Sequence, residues 1–181
     1  MRSIQLFRQK PGLQAIASLT LALLSTAAAG CNYGFRTGGG FPSDIQTVFI
    51  QSFENTTPQF ELDQQLFRKL SERLPRALGV RPAGEEAAHA WVRGKIVRYE
   101  DAAQNYRSGD TAAGVQVLQH QVQITISIEL VNRRNNTILW ESGALTGRGE
   151  YNPDTGSDQQ AREQALNHIV QQIIDGAQSQ W

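Results

Sequence analysis

Few side chains in this 181-residue chain have the neighbours that catalysis needs. His89, His120 and His168 fall in a loop-like, a strand-like and a helix-like segment, and no two share metal-ligand spacing. Glu85 with Glu86 and Glu100 with Asp101 are adjacent acids in polar stretches, the pattern of solvated charge rather than of a catalytic dyad. There is no nucleophile elbow, no zinc helix motif and no phosphate loop. Gly38, Gly39 and Gly40 follow no strand and precede no suitably placed Lys. The expectation is therefore a protein that is not an enzyme, with no metal and no cofactor. Two kinds of chemistry remain. One is the thiol of Cys31, the only cysteine. The other is phosphate pairing by local basic groups, because a guanidinium fork grips phosphate through two hydrogen bonds. Arg93, Lys95 and Arg98 lie in one strand-like segment, and Arg133 with Arg134 lies in a turn. Strand alternation predicts that Arg93 and Lys95 point one way and Arg98 the other. Each of these groups can equally be ordinary surface charge.

What precedes Cys31 decides what its thiol is for. Arg2, Arg8 and Lys10 come first with no acid, then an apolar run from Leu13 to Ala29, then small residues to Gly30. That is the order of an export signal, and the run is too short and interrupted for a membrane span of about 20 apolar residues. Ala28, Ala29, Gly30 and Cys31 resemble the lipobox of bacterial lipoproteins, whose cysteine is lipidated and becomes the new N-terminus. That resemblance implies lipid attachment, palmitate included, at Cys31. The alternative is a stray thiol on a secreted chain, which would invite intermolecular disulfides. Asn32 is not the Asp that retains many such lipoproteins in the inner membrane, so the resemblance implies an outer-membrane anchor.

The segments predicted are a signal peptide over 1–30, a lipidated N-terminus and glycine-rich tether over 31–43, and one domain over 44–181. Such a domain can bury a core without disulfides, and with a single cysteine it must. Removing Arg2, Arg8 and Lys10 from 17 basic residues leaves 14 against 17 acidic ones, a formal charge of −3. Nucleic acid, which calls for a clearly basic face, is not an expected partner.

The elements that must position the basic groups come next. Val48, Phe49 and Ile50 centre a buried strand over 45–53. Pro58 can open a helix, Leu62, Leu66, Leu70 and Leu74 stripe it, and Pro75 should end or kink it at Leu74. Gly79 to Ala90 is a connection with room for a short strand at Val80 and Arg81. Trp91 to Tyr99 has strand composition, and Ala102 to Gly114 reads as a polar link with a turn at Ser108 to Asp110. From Leu118 to Leu130 apolar and polar residues alternate, predicting a long antiparallel strand with one wet face. A return strand begins at Ile138, left pliable or bulged by Gly143, Gly147 and Gly149. Ser157 and Gln160 form a capping-box signature before a last helix striped by Leu166, Ile169, Val170, Ile173 and Ile174, with Gly176 as a stop. The predicted fold is α+β, a two-layer sandwich of about four strands with two helices on one face, in the order β-α-β-β-β-α.

In this order the chain resembles the lipopolysaccharide-assembly lipoprotein family, LptE. The residues that carry the likeness are Cys31 to Phe35, the strand Val48 to Phe53 with Glu54 and Asn55, Glu61 with Leu62, and Trp91 to Ile96 before Tyr99. Leu139, Trp140 and Glu141, then Tyr151 and the terminal helix, complete it. The resemblance implies a lipid-anchored protein on the periplasmic side of the outer membrane. It would plug an LptD-like β-barrel, support that barrel's assembly and help to deliver lipopolysaccharide. Its candidate lipopolysaccharide contacts are Arg93, Lys95, Arg133 and Arg134. The wet face from Gln119 to Glu129 suits a polar barrel lumen and suits plain water equally well. A lipoprotein of the periplasm that binds some other envelope protein or lipid is the alternative, because fold alone does not fix function.

Overall fold

The computed structural model describes residues 41–108 and 115–180, with side chains from 105 to 118 left undescribed. The predicted signal, Cys31 and most of the tether lie outside the described residues. Six strands and two helices follow one another: β1 (Thr47–Ile50), β2 (Glu54–Asn55), α1 (Leu62–Leu78), β3 (Arg81–Pro82), β4 (Ala90–Ser108), β5 (Val115–Asn132), β6 (Thr137–Tyr151) and α2 (Asp158–Gln178).

The α+β class and the two helices are as expected, but the sheet has six strands rather than four. Of the two additional strands, β3 overlaps the short strand allowed for at Val80 and Arg81, and β2 is two residues long, too short for any periodicity to register. The predicted strand over 45–53 is cut after Ile50. The chain leaves the sheet from Gln51 to Phe53, and Glu54 and Asn55 rejoin the same edge of β4 opposite Lys95 and Ile96. Phe53 is buried there against Gly94, where any Cβ would meet its ring.

The strands run β3-β1-β4-β5-β6, with β2 also on β4. β1 lies parallel to both β3 and β4, whereas β4, β5 and β6 form an antiparallel meander. β4 continues to Ser108 through the segment expected to be a link, because β5 keeps pairing with it out to Val115. β6 stops at Tyr151 opposite His120, so the far end of the β4–β5 pair extends past it.

One cluster forms the core. Val48, Ile50, Ala90, Val92, Ile96 and the even-numbered residues Val122 to Leu130 supply the sheet side. Leu62, Leu66, Leu70, Leu74 and Leu78 supply the α1 side, and Ala161, Ala165, Leu166, Ile169, Val170, Ile173, Ile174 and Ala177 the α2 side. Each fully buried Leu or Ile contributes about 1.5–3 kcal/mol. Since both helices share this cluster with one set of strand residues, they cover one face of the sheet.

Three helix boundaries differ from expectation. α1 starts at Leu62 rather than at Pro58, because the Asn55 side chain accepts from Thr57 and donates to the Gln59 carbonyl, holding the entry non-helical. It also runs past Pro75, which is itself buried, to Leu78 and the left-handed cap at Gly79 (φ 69°). A proline in the last turn forfeits a single hydrogen bond, and the buried Leu78 offsets it. α2 begins as predicted, with Ser157 accepting from the Gln160 N–H, but passes through Gly176, whose missing side chain admits the Trp140 ring.

Candidate functional site

The helix-free face of the sheet carries the basic groups, and a bulge decides which of them share it. On β4, Arg93 pairs with Glu129 and Lys95 with Ser127, both outward-facing positions of β5. The register then slips between Ile96 and Arg98, leaving Val97 as the extra residue. Arg98 therefore lands opposite Thr125, on the same face as Arg93 and Lys95, and Tyr99 turns inward opposite Ile124. The expectation that Arg98 points the other way is wrong for that reason: one inserted residue exchanges the two faces beyond it.

Arg93 and Lys95 meet in an open groove of about 520 Å³ between the β2 edge and the start of β6. Glu54, Glu129 and Glu141 line it with them. Arg93 binds Glu129 through Nη2 at 2.9 Å and Nε at 3.0 Å, a two-nitrogen grip on one carboxylate oxygen. Lys95 Nζ lies 3.0 Å from Glu54 Oε2. Glu141 stands directly across from Glu129. Three carboxylates thus face two cations, so an incoming phosphate has to displace a carboxylate. Both pairs are about half exposed, and such pairs are worth about 0–1 kcal/mol, a low barrier to exchange.

Further along the face, side chains of β5 are tied to those of β6. Thr125 and Thr146 share a hydroxyl hydrogen bond of 3.1 Å, Arg148 donates to Gln123 at 3.2 Å, and Gln121 donates to Glu150 at 3.2 Å. Gln119 also donates to Glu150. The wet face expected from the alternation is a polar ladder that keeps its donors and acceptors in order.

Arg133 and Arg134 fall elsewhere. They line a second hollow, of about 380 Å³, with His89 and residues 86–88, and share no lining residue with the first. The Arg133 guanidinium lies 5.2 Å over the Trp91 ring and donates to the Glu86 carbonyl. Trp91 packs edge-on against Phe49, with ring centres 6.5 Å apart, and donates to the Glu85 carbonyl at 3.2 Å. The four predicted lipopolysaccharide contacts are thus brought together in two pairs and not as one patch. Cys31 lies outside the described residues.

Sequence reasoning missed the carboxylates opposite Arg93 and Lys95, which pairing alone supplies, and missed a polar cluster at the other end of the sheet. There His120 Nδ1 lies 2.8 Å from Asp101 Oδ1, the Tyr151 hydroxyl donates to Asp101 Oδ2 at 2.9 Å, and the two rings are 5.0 Å apart. Burial, then the hydrogen bond to Asp101 and its charge, push the Tyr151 phenol up to about 12. Burial and the Asp101 charge also raise Tyr99. The cluster clasps β4, β5 and β6 together. Among the described residues no group of three or more His, Cys, Asp or Glu could hold a metal, and no helix is long and apolar enough to cross a membrane.

Residues 45–179 match the family model of LptE, lipopolysaccharide-assembly. No curated protein matches the chain. Among solved structures it is similar to the lipoprotein GNA1162 from Neisseria meningitidis (11% identity, TM-score 0.45, 72% of this chain and 96% of that one). It is also similar to the PelC dodecamer from Paraburkholderia phytofirmans (14% identity, TM-score 0.48, 78% and 94%) and to a minor lipoprotein from Acinetobacter baumannii (15% identity, TM-score 0.41, 75% and 92%).

Proposed function

The chain belongs to the lipopolysaccharide-assembly family LptE, and from that premise we propose that it is an outer-membrane lipoprotein that plugs an LptD-like β-barrel and assists lipopolysaccharide transport. The observation that carries the reading is the helix-free sheet face. It is left uncovered by the chain's own helices and presents ordered Gln, Thr, Arg and Glu side chains from Glu129 to Gln119 and along β6. A polar barrel lumen is the kind of surface such a ladder can meet without leaving buried polar groups unpaired. Cys31 serves as the lipid attachment point at the head of a tether over 31–43, with the folded body on the periplasmic side. Arg93 and Lys95, and separately Arg133 and Arg134, are the groups proposed to meet lipopolysaccharide phosphates. The chain's own residues bind and position in this role.

The test is a detergent pull-down of the tagged full-length lipoprotein from its native outer membranes, with identification of stoichiometric partners. A large β-barrel recovered one to one and resistant to high salt supports the plug. Recovery alone, or with an unrelated envelope protein, removes it and leaves an LptE-family lipoprotein with another partner.

A further inference from the structure

In the hollow beside the β5–β6 turn both ring nitrogens of His89 face N–H donors, and a neutral ring can accept from only one of them. His89 Nδ1 accepts the backbone N–H of Gln46 at 3.2 Å, so that nitrogen carries no proton. The neutral ring must then hold its proton on Nε2. Nε2, however, lies 3.2 Å from Arg134 Nη2, which is a donor in every state of an arginine. Two N–H donors converge, and one is cationic. An oxygen acceptor between them satisfies both at once, and the guanidinium's charge and fork favour a phosphate oxygen there.

The surroundings hold these donors in place. The His89 N–H donates to the Thr47 carbonyl at 3.1 Å and to its hydroxyl at 3.0 Å, while that hydroxyl donates to the Ala87 carbonyl at 3.1 Å. The His89 carbonyl accepts from the Arg133 N–H at 2.9 Å. The Arg134 N–H is held by the side chain of the buried Asn132 at 2.9 Å, and Asn136 takes the left-handed conformation (φ 55°) that closes the turn. Arg133, seated on Trp91, adds a second positive charge at the rim, and Glu86 is the one carboxylate among the lining residues.

We infer that His89 and Arg134, with Arg133 beside them, form a binding site for a single phosphate group. The inference deepens the lipid-contact part of the reading above, on which it rests only for the source of the phosphate. A lipid headgroup and free phosphate satisfy the same donors. The site lies beside Gln46, where the chain enters β1.

Inorganic phosphate is titrated into the detergent-solubilised full chain at a fixed ionic strength of about 0.15 M, following the His89 ring and Arg134 side-chain resonances. The expected result is a saturable shift of both. Arg134→Gln, and independently His89→Phe, should weaken it at least about tenfold, as loss of a hydrogen bond to a charged group does, with circular dichroism unchanged. No saturable shift in the wild-type protein, or one that both folded variants retain, overturns the site. Flotation of the Cys31→Ala chain with phosphatidylcholine vesicles, with and without phosphatidic acid, separates the sources. Retention that needs phosphatidic acid and is lost in Arg134→Gln assigns a lipid phosphate, and a saturable titration without any retention that depends on phosphatidic acid assigns free phosphate. The pull-down reads the barrel and is blind to this titration, so either reading can fail without the other.

Discussion

Gly143, Gly147 and Gly149 lie in one strand, yet their replacement by alanine should have opposite consequences. A Cβ built on Gly147 would stand 2.9 Å from the carbonyl carbon of Ala165 and closer still to its oxygen, with Ile169 Cγ1 at 2.7 Å. On Gly149 it would stand 2.8 Å from the carbonyl carbon and 3.0 Å from the Cα of Ala161, again closer to the oxygen. Ordinary contact begins at 3.4 Å, so α2 would have to retreat by half an ångström or more. At Gly149 every obstructing atom is helix backbone, which no rotamer change can move aside. The penalty belongs at the upper end of the overpacking range, about 3 kcal/mol, or a loss of about 10 °C in Tm for a domain of this size. Gly143 has nothing within 4 Å of its virtual Cβ, and alanine there only restricts the unfolded chain. It should be neutral or stabilise by up to about 1 kcal/mol. Urea and thermal unfolding of the three variants by circular dichroism measures the contrast. If Gly147→Ala and Gly149→Ala unfold within about 0.5 kcal/mol of Gly143→Ala, the close seating of α2 on β6 is not what the glycines are for.

Reversing the groove charges with Arg93→Glu and Lys95→Glu should cost no more than about 1 kcal/mol per broken surface pair while weakening lipopolysaccharide binding. A folded double variant that binds as well as wild type removes this pair from the lipid contacts. The raised Tyr151 pKa sets an alkaline limit. Because folding favours the protonated phenol, the stability it contributes is fully present below the ordinary tyrosine value of 10 and is lost as pH rises through about 12. Tyr151→Phe should flatten that alkaline decline in stability, as measured by urea midpoints across the window, and an unchanged slope would assign the decline to other groups.

Much of the architecture was readable because its signals are local. Leucines every four residues make α1, alternation over 122–130 makes β5, and Ser157 with Gln160 opens α2; each depends on neighbours a turn or two away. What was not readable depends on pairing partners distant in sequence. Glu54 reaches Lys95 only because the chain leaves the sheet at Gln51 and returns to it. The two-residue strand β2 exists because β4 offers it an edge, and nothing in Glu54 and Asn55 announces this. Pro75 fails to end α1 because the next turn buries Leu78, so tertiary packing overrides a local rule. The same logic governs the candidate site. Alternation assigns Arg98 to the face opposite Arg93, and would be right in an unbroken strand. The extra residue Val97 reverses the assignment, and no composition or period marks where a bulge will fall. His89 and Arg134 show the same dependence in a second form. As side chains they are unremarkable, and they become a pair of converging donors only when the register sets Ala90 opposite Asn132 and bonds the N–H of Arg133 to the His89 carbonyl. The chemistry of this face is thus a property of register. A substitution that shifts the Val97 bulge should therefore alter which cations share the groove without touching any of them.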